Sequence, residues 1–271
     1  MTIRLVLAGC GNMGYAMLSG WINAGKLKAA EVFVVEPNAD LRKRAGTLGC
    51  RTAADAAEIP ADAVPQLAVI AVKPQVIREV IKAYTCFGDG RTTFVSIVAG
   101  TPVATFEEVL GQRAPIMRCM PNTPASIGKG MMVLYSNKLV SDESKHVVAD
   151  LLSASGNVTT IDDESLMDAV TAVSGSGPAY IFHFIEALTV AAQKAGLPVE
   201  TAKLLAMQTV YGAASLAAES KEEPGTLRQQ VTSPNGTTAA ALAVLMGEDR
   251  LTKLVTEAVE AARLRSIELG K

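Results

Sequence analysis

LVLAGCGNMG, Leu5–Gly14, places the pattern G-x-G-x-x-G between an apolar run and the helical pattern Ala16–Trp21. In such a pattern Gly9 permits a tight turn, Gly11 lets the backbone approach a pyrophosphate, and Gly14 lets the helix pack on the strand. The N-terminus of the helix then faces the anion. The stretch predicts a strand–turn–helix unit that binds a dinucleotide.

Around this stretch, the first half of the chain alternates short apolar runs with helix-like segments. This alternation is typical of parallel β/α crossovers and predicts a doubly wound parallel sheet. A further strand pair is expected to bracket a helix that begins near Ser141. The predicted strands are Ile3–Ala8, Val32–Glu36, Leu67–Val72, Thr93–Ile97 and Ile116–Cys119, with Met131–Tyr135 and Asn157–Ile161 as the further pair.

From about Asp162 the strand signals stop, and the rest of the chain reads as helices. The expected division is a Rossmann domain over 1–161 and an all-helical domain over 162–271. Few formal charges fall between Ser165 and Ser220, so these helices are apolar nearly all round. We therefore expect a homodimer or larger ring built through the helical domain.

Composition and charge exclude several classes of protein. Hydrophobic residues make up 49% and charged residues 19% of the 271 residues, which excludes a disordered chain. The net charge of −2, without a basic block, argues against a nucleic-acid partner. The four cysteines stand far apart, so no metal site is expected. No apolar run reaches membrane-spanning length, and a cytoplasmic protein is the expectation.

The predicted second strand ends in Glu36, where a dinucleotide fold places the acid that binds the adenosine ribose. This position favours NAD. Asn38, Arg42 and Lys43 follow closely and could instead hold a 2′-phosphate if Glu36 turned away, so NADP and NAD both stay open here. Two later strand ends, Ala71-Val-Lys73-Pro74-Gln75 and Ser96-Ile-Val-Ala99-Gly100-Thr101, would line the nicotinamide ribose with their backbone, although Lys73 could equally be an ordinary exposed lysine.

Late in the chain, QVTSPNGTTAAAL, residues 230–242, runs from turn residues straight into an apolar helix. Free amides near Gly236 and Thr238, with the positive end of the helix dipole, could hold a small carboxylate without an arginine. An ordinary helix cap would look the same, since Ser, Asn and Thr supply caps routinely.

The segment VTSPNGTT, Val231–Thr238, resembles the C-terminal signature of pyrroline-5-carboxylate reductase. The other segments that resemble this family, in order and spacing, are GCGNMG at 9–14, AVKPQ at 71–75, MPNTP at 120–124 and DAVTAVSGSGPAY at 168–180. The likeness covers almost the whole chain. It implies a Rossmann domain followed by a helical dimerisation domain, with the active site between one subunit's cofactor and its partner's C-terminal helices.

Carried over residue by residue, the resemblance assigns Thr238 as the catalytic residue, hydrogen-bonded to the ring nitrogen of 1-pyrroline-5-carboxylate. The residues implied to bind substrate are Glu164, Ser233, Gly236, Thr237 and Thr238. The residues expected to bind the cofactor, NADP or alternatively NAD, are Gly9, Cys10, Gly11, Asn12, Met13, Gly14, Glu36, Asn38, Ala71, Val72, Lys73, Pro74, Val98, Ala99 and Gln230. The implied product is L-proline, and the implied assembly is a dimer or a pentamer of dimers.

The chain departs from the family pattern at three places. Asn235 stands where glycine is commoner, Gln230 replaces an asparagine, and Thr52–Ala57 lacks the asparagine found near the adenosine. These departures concern cofactor details and leave the reaction class unchanged.

Two other functions are consistent with a dinucleotide fold joined to helices. A β-hydroxyacid dehydrogenase or imine reductase has this organisation, but the hydroxyacid enzymes carry a lysine soon after the second glycine motif. Here the first lysine after Gly175-Ser-Gly177 is Lys194. A redox-sensing protein that binds dinucleotide without turnover would need no carboxylate pocket.

Overall fold

The computed structural model describes residues 2–270. Its strands are β1 Leu5–Ala8, β2 Val32–Val35, β3 Arg51–Ala53, β4 Leu67–Ile70, β5 Thr93–Ser96, β6 Ile116–Met120, β7 Gly130–Ser136 and β8 Gly156–Thr160. Its α-helices are α1 Asn12–Asn23, α2 Ala39–Gly46, α3 Ile77–Lys82, α4 Val103–Leu110, α5 Asp142–Ser153, α6 Met167–Val170, α7 Gly177–Lys194, α8 Val199–Glu219, α9 Pro224–Gln230, α10 Thr237–Met246 and α11 Arg250–Leu269.

The strands form one eight-stranded sheet in the order β3-β2-β1-β4-β5-β6-β7-β8. Strand β1 lies between β2 and β4 and runs parallel to both, with Leu5 paired to Val32 and Leu67. All four residues of each of these strands are buried, as expected for parallel strands covered on both faces by helices. The predicted doubly wound fold is confirmed.

Two features of the sheet differ from the sequence-based prediction. Strand β3 was not predicted, because its residues Arg51–Ala53 form no apolar run. Strand β7 runs antiparallel to β6, so the sheet is mixed and not wholly parallel. Residues 121–129 connect β6 to β7 and contain only the short 3₁₀ helix Thr123–Ile127. A parallel return needs a crossover of about a dozen residues, which this connection cannot supply.

The predicted pair of later strands is confirmed. Strands β7 and β8 are parallel neighbours, and helix α5 lies between them in the chain. Ser141 is the N-cap of α5, where its hydroxyl oxygen accepts a hydrogen bond from the Ser144 amide at 3.1 Å.

The chain divides into two compact units. The first contains the residues through Ser176 together with those from Ala262 onward, and the second is Gly177–Ala261. The first unit therefore includes 162–176 and the end of α11, both of which the sequence analysis places in the helical domain.

In the first unit, apolar clusters cover both faces of the sheet. Trp21 of α1 and Leu151 of α5 belong to one cluster, and Ile81 of α3 and Phe106 of α4 to the other. These helices hold the strand ends and the loops that follow them in fixed positions.

The second unit consists of helices with little buried surface of their own. Helix α7 packs against α8, where the only buried side chains are Ala202 and Ala206. Large apolar side chains remain exposed along this unit, among them Ile181, Phe182, Phe184, Leu204, Met207, Tyr211, Leu216 and Val244.

Between residues 2 and 270, no helix has the combination of length and apolar character required to cross a bilayer. The same residues contain no group of three or more His, Cys, Asp or Glu side chains placed to hold a metal ion.

Candidate dinucleotide and substrate sites

The glycine-rich turn after β1 is held tightly against the end of β4. Gly9 has a φ of +87°, a conformation that favours glycine. A Cβ atom at Gly9 would lie 2.6 Å from the Ala71 carbonyl oxygen and 2.9 Å from Val72 Cγ1. Because β1 and β4 meet where the strand order reverses, this turn lies at the crevice in which open α/β sheets bind ligands.

The other two glycines of the motif have different surroundings. A Cβ atom at Gly14 would lie 2.7 Å from the Gly9 carbonyl oxygen, so internal packing requires glycine there. A Cβ atom at Gly11 would meet nothing within 4 Å. Gly11 is also the N-cap of α1, whose first turn carries no acidic side chain. The open space beside Gly11 and the positive end of α1 together suit a pyrophosphate.

Glu36, at the end of β2, contacts the same turn. Its side chain is 7% exposed, its Oε2 accepts a hydrogen bond from the Cys10 amide at 2.7 Å, and its Oε1 accepts one from the Asn38 amide at 2.9 Å. The carboxylate therefore fixes the turn to β2. A carboxylate oxygen can accept more than one hydrogen bond, so contact with a ribose is also compatible with this geometry.

The residues after β2 provide a helix cap and positive charge. The Asn38 side-chain oxygen accepts hydrogen bonds from the Asp40 and Leu41 amides at 3.0 and 3.1 Å, which caps α2. Arg42 Nη1 donates to the Glu36 and Pro37 carbonyls at 2.8 and 2.9 Å. The cationic side chain of Arg42 thus lies against the backbone at the end of β2.

Two further strand ends carry the remaining predicted cofactor contacts of this unit. The Ala71 amide donates to the Ala8 carbonyl at 2.7 Å, and Lys73 is exposed just before the 3₁₀ helix Pro74–Val76. Val98 is buried, and its amide donates to Ser96 Oγ at 3.3 Å. Strands β1, β4 and β5 are neighbours and parallel, so these segments lie at one edge of the sheet.

Cys10 lies in the turn but is not a reactive group. Its side chain is buried, and burial raises the pKa of the thiol from 9.0 to about 11. At neutral pH the thiol is therefore uncharged, so it does not repel an anionic ligand and is a poor nucleophile.

Two arginines of the first unit make contacts that were not predicted from the sequence. Arg44 of α2 donates to the carbonyls of Cys10 and Gly11. Arg118 of β6, with a side chain 10% exposed, pairs with Glu164 at 2.8 Å. Neither residue lies in a motif. The one available signal was the position of Arg118 inside an apolar strand, because a buried arginine usually has a charged or polar partner.

Glu164 connects two elements of the first unit. Its Oε1 accepts hydrogen bonds from the Val103 amide at 2.7 Å and from Arg118 Nη1 at 2.8 Å. The carboxylate thereby holds the start of α4, and with it the loop that follows Val98-Ala99. Its expected contact with substrate stays a prediction.

In the second unit, the turn before α10 has the geometry of an anion-binding helix start. Gly236 is the N-cap, its amide donates to the Ser233 carbonyl at 3.1 Å, and a Cβ atom there would collide with Ser233 Oγ. Thr237 and Thr238 are the first residues of α10, and no side chain caps it. Asn235 has a φ of 59°, a left-handed conformation that glycine adopts freely and that asparagine adopts more readily than most other residues.

Gln230, the last predicted cofactor residue, ends α9 and is exposed. It belongs to the second unit, whereas the glycine-rich turn belongs to the first.

Family models match both halves of the chain. Residues 4–100 match the family model described as NADP oxidoreductase coenzyme F420-dependent, and residues 164–269 match the one described as pyrroline-5-carboxylate reductase dimerisation. The pyrroline-5-carboxylate reductase of Pseudomonas aeruginosa is 43% identical over 271 residues, which cover 100% of this chain and 98% of that protein. The chain belongs to the pyrroline-5-carboxylate reductase family.

Solved structures of family members have the same fold. A pyrroline-5-carboxylate reductase from Coxiella burnetii superposes with a TM-score of 0.92 at 35% identity and full coverage of both chains. The Plasmodium falciparum pyrroline carboxylate reductase, solved with NADP bound, superposes with a TM-score of 0.85 at 32% identity, covering 99% of this chain and 98% of that one.

Proposed function

We propose that this pyrroline-5-carboxylate reductase family member reduces the C=N bond of 1-pyrroline-5-carboxylate to give L-proline, the last step of proline biosynthesis, with NADPH as the hydride donor. The observation that carries the proposal is the uncapped start of α10 at Gly236, which offers free amides to a small carboxylate. The family relationship supports the same reaction.

The glycine-rich turn would hold the dinucleotide. Gly11 leaves room for the pyrophosphate, and the first amides of α1 would bind it. The cofactor supplies the hydride when bound. NADP is favoured over NAD because the cationic side chain of Arg42 lies beside the end of β2, where it could bind a 2′-phosphate. The NADP oxidoreductase match over 4–100 supports the same choice.

The turn at 233–238 would hold the substrate. Ser233, Gly236 and Thr237 would bind the carboxylate mainly through backbone, and the Thr238 hydroxyl would hydrogen-bond the ring nitrogen. An imine can be protonated by solvent before it reacts, so these residues need only align the ring and exclude water. A threonine hydroxyl does not lose its proton near neutral pH, and its role is therefore to orient the nitrogen and stabilise the product amine.

The assembly proposed is a homodimer formed through the helical unit, and five such dimers would join into a decamer. The match of 164–269 to a dimerisation model supports the dimer. The apolar side chains left exposed on α7 and α8 provide the surface. In this arrangement the Thr238 turn of one subunit would serve the dinucleotide of its partner. The cell compartment proposed is the cytoplasm.

The test is a steady-state assay of the purified full chain with NADPH and 1-pyrroline-5-carboxylate. We expect substrate-dependent loss of the dihydronicotinamide absorbance and one proline formed per NADPH consumed. In the reverse direction, with the oxidised cofactor, a β-hydroxyacid supplied in place of proline should not cause reduction of the cofactor. Cofactor binding without imine-dependent turnover would contradict the proposal and indicate a sensing protein instead.

A further inference from the structure

The guanidinium of Arg44 lies against the glycine-rich turn from the side of α2. Its Nη2 donates hydrogen bonds to the carbonyl oxygens of Cys10 at 3.1 Å and Gly11 at 3.2 Å. Its central carbon is 4.1 Å from the centre of the Tyr15 ring, which fixes the plane of the guanidinium on the first turn of α1. Arg44 therefore touches the turn and the helix that follows it.

Arg44 and Glu36 hold the same residue from opposite directions. The Cys10 amide donates to Glu36 at 2.7 Å, while the Cys10 carbonyl accepts from Arg44. The Gly11 carbonyl also accepts the first helical hydrogen bond of α1, from the Tyr15 amide at 2.9 Å. With both the amide and the carbonyl of Cys10 engaged, the two peptide groups that flank this residue cannot turn about its φ and ψ angles without breaking charge-assisted hydrogen bonds.

We propose that Arg44 is a positioning residue for dinucleotide binding: by holding the Cys10 and Gly11 carbonyls, it keeps the first amides of α1 directed at the site of the diphosphate. The proposal rests on the proposed use of this turn for NADPH. A turn that is already in its binding conformation binds without the cost of ordering it, so Arg44 raises cofactor affinity. Since NADPH and NADH carry the same diphosphate, both affinities depend on Arg44 equally.

The decisive experiment compares R44Q and Y15L with the wild-type chain. Dissociation constants for NADPH and for NADH are measured by titrating dihydronicotinamide fluorescence without substrate, and kinetics are then measured with the imine. R44Q should raise both dissociation constants by about tenfold, the effect of one or two charged hydrogen bonds. The kcat at saturating cofactor and the KM for the imine should change less than about twofold.

Y15L keeps the charge of Arg44 and removes the ring beneath it. It should raise the dissociation constants for NADPH and NADH by the same smaller factor, about threefold, because the ring no longer holds the guanidinium in one plane. Y15F retains the ring and should bind like wild type. R44K should recover part of the affinity lost in R44Q, since one ammonium can still reach the carbonyls but lacks the planar fork.

Arg51 supplies the matched control. It too lies over an aromatic ring, 5.9 Å from the centre of Phe33, and contacts a backbone carbonyl, that of Ala30 at 3.4 Å, but it does not contact the turn. R51Q removes the same charge and should leave both dissociation constants within about twofold of wild type.

Two results would overturn the inference. A loss confined to NADPH in R44Q would mean that Arg44 binds the 2′-phosphate directly. Unchanged affinity in R44Q would mean that the turn needs no positioning by this guanidinium. Unchanged affinity in Y15L beside a weakened R44Q would reject only the part assigned to the Tyr15 ring. Failure of the wild-type chain to bind NADPH would instead reject the proposed function, so the two failures are distinguishable.

Discussion

At the scale of single residues, one motif contains three glycines that are needed for different reasons. Gly9 needs its positive φ, Gly14 needs the absence of a side chain for packing, and Gly11 needs neither. The backbone at Gly11, with φ −61° and ψ −165°, is open to any residue. A glycine without a structural reason, in a turn where the other two have one, indicates a site kept clear for a ligand.

This difference predicts opposite results for two valine substitutions. Gly11→Val should abolish NADPH binding and leave the melting temperature within a few degrees of wild type, because a Cβ atom at this position meets nothing within 4 Å. Gly14→Val should destabilise the fold, because its Cβ would lie 2.7 Å from the Gly9 carbonyl oxygen. Isothermal titration and thermal unfolding check both. Tight NADPH binding by Gly11→Val would contradict the assigned role.

Thr238→Ala tests the substrate turn. Loss of one or two hydrogen bonds should lower kcat/KM for the imine by about tenfold to a hundredfold, while NADPH affinity stays near wild type. Thr85→Ala removes a threonine hydroxyl that contacts only a local carbonyl, that of Lys82 at 3.0 Å, and serves as the control. Kinetics unchanged by Thr238→Ala would remove this residue from the reaction.

At the scale of elements, helix starts and apolar strands follow local rules, whereas strand direction does not. Ser141 with Asp142 and Glu143 after it marks the start of α5, because a hydroxyl cap and early negative charge both satisfy a helix N-terminus. The antiparallel direction of β7 could not be predicted from its apolar residues, because a parallel and an antiparallel strand have the same apolar pattern. Its cause is the length of the connection from β6.

The cap of α5 provides the test at this scale. Ser141→Ala should lower the free energy of unfolding by about 1 kcal/mol, because the Ser144 amide loses its acceptor. Ser153→Ala, at the last residue of the same helix, removes a serine that does not cap its start and should cost less. Urea unfolding at equal protein concentration measures both. A midpoint for Ser141→Ala equal to that of the wild-type chain would show that the cap contributes nothing to stability.

At the scale of the whole molecule, the helical unit has more apolar surface than one chain can cover. Leu204 is 67% and Phe182 59% exposed on adjacent helices that bury only two alanines between them. Burying this surface in a second copy stabilises the folded state in proportion to its area. We therefore expect these exposed helices to be covered in the dimer.

Sedimentation at micromolar concentration should give a dimer or a larger assembly. Leu204→Asp should shift the population toward monomer, because an unpaired carboxylate in an apolar interface is costly. Ile127→Asp changes a side chain that is 72% exposed in the first unit and should leave the sedimentation unchanged. A wild-type monomer at this concentration would contradict the proposed assembly.

The sequence alone determined the glycine-rich turn, the position of most strands along the chain, the start of α5 and the change to helices near Asp162, because periodicity, glycine spacing and caps act between residues close in the chain. Tertiary structure decided the position of β3, the direction of β7, the burial of Glu36 against the turn and the contacts of Arg44 and Arg118. Arg44 meets Cys10 across 34 positions and Arg118 meets Glu164 across 46. These contacts depend on where the folded elements come together in space. A local sequence pattern carries no information about which distant residues will be neighbours.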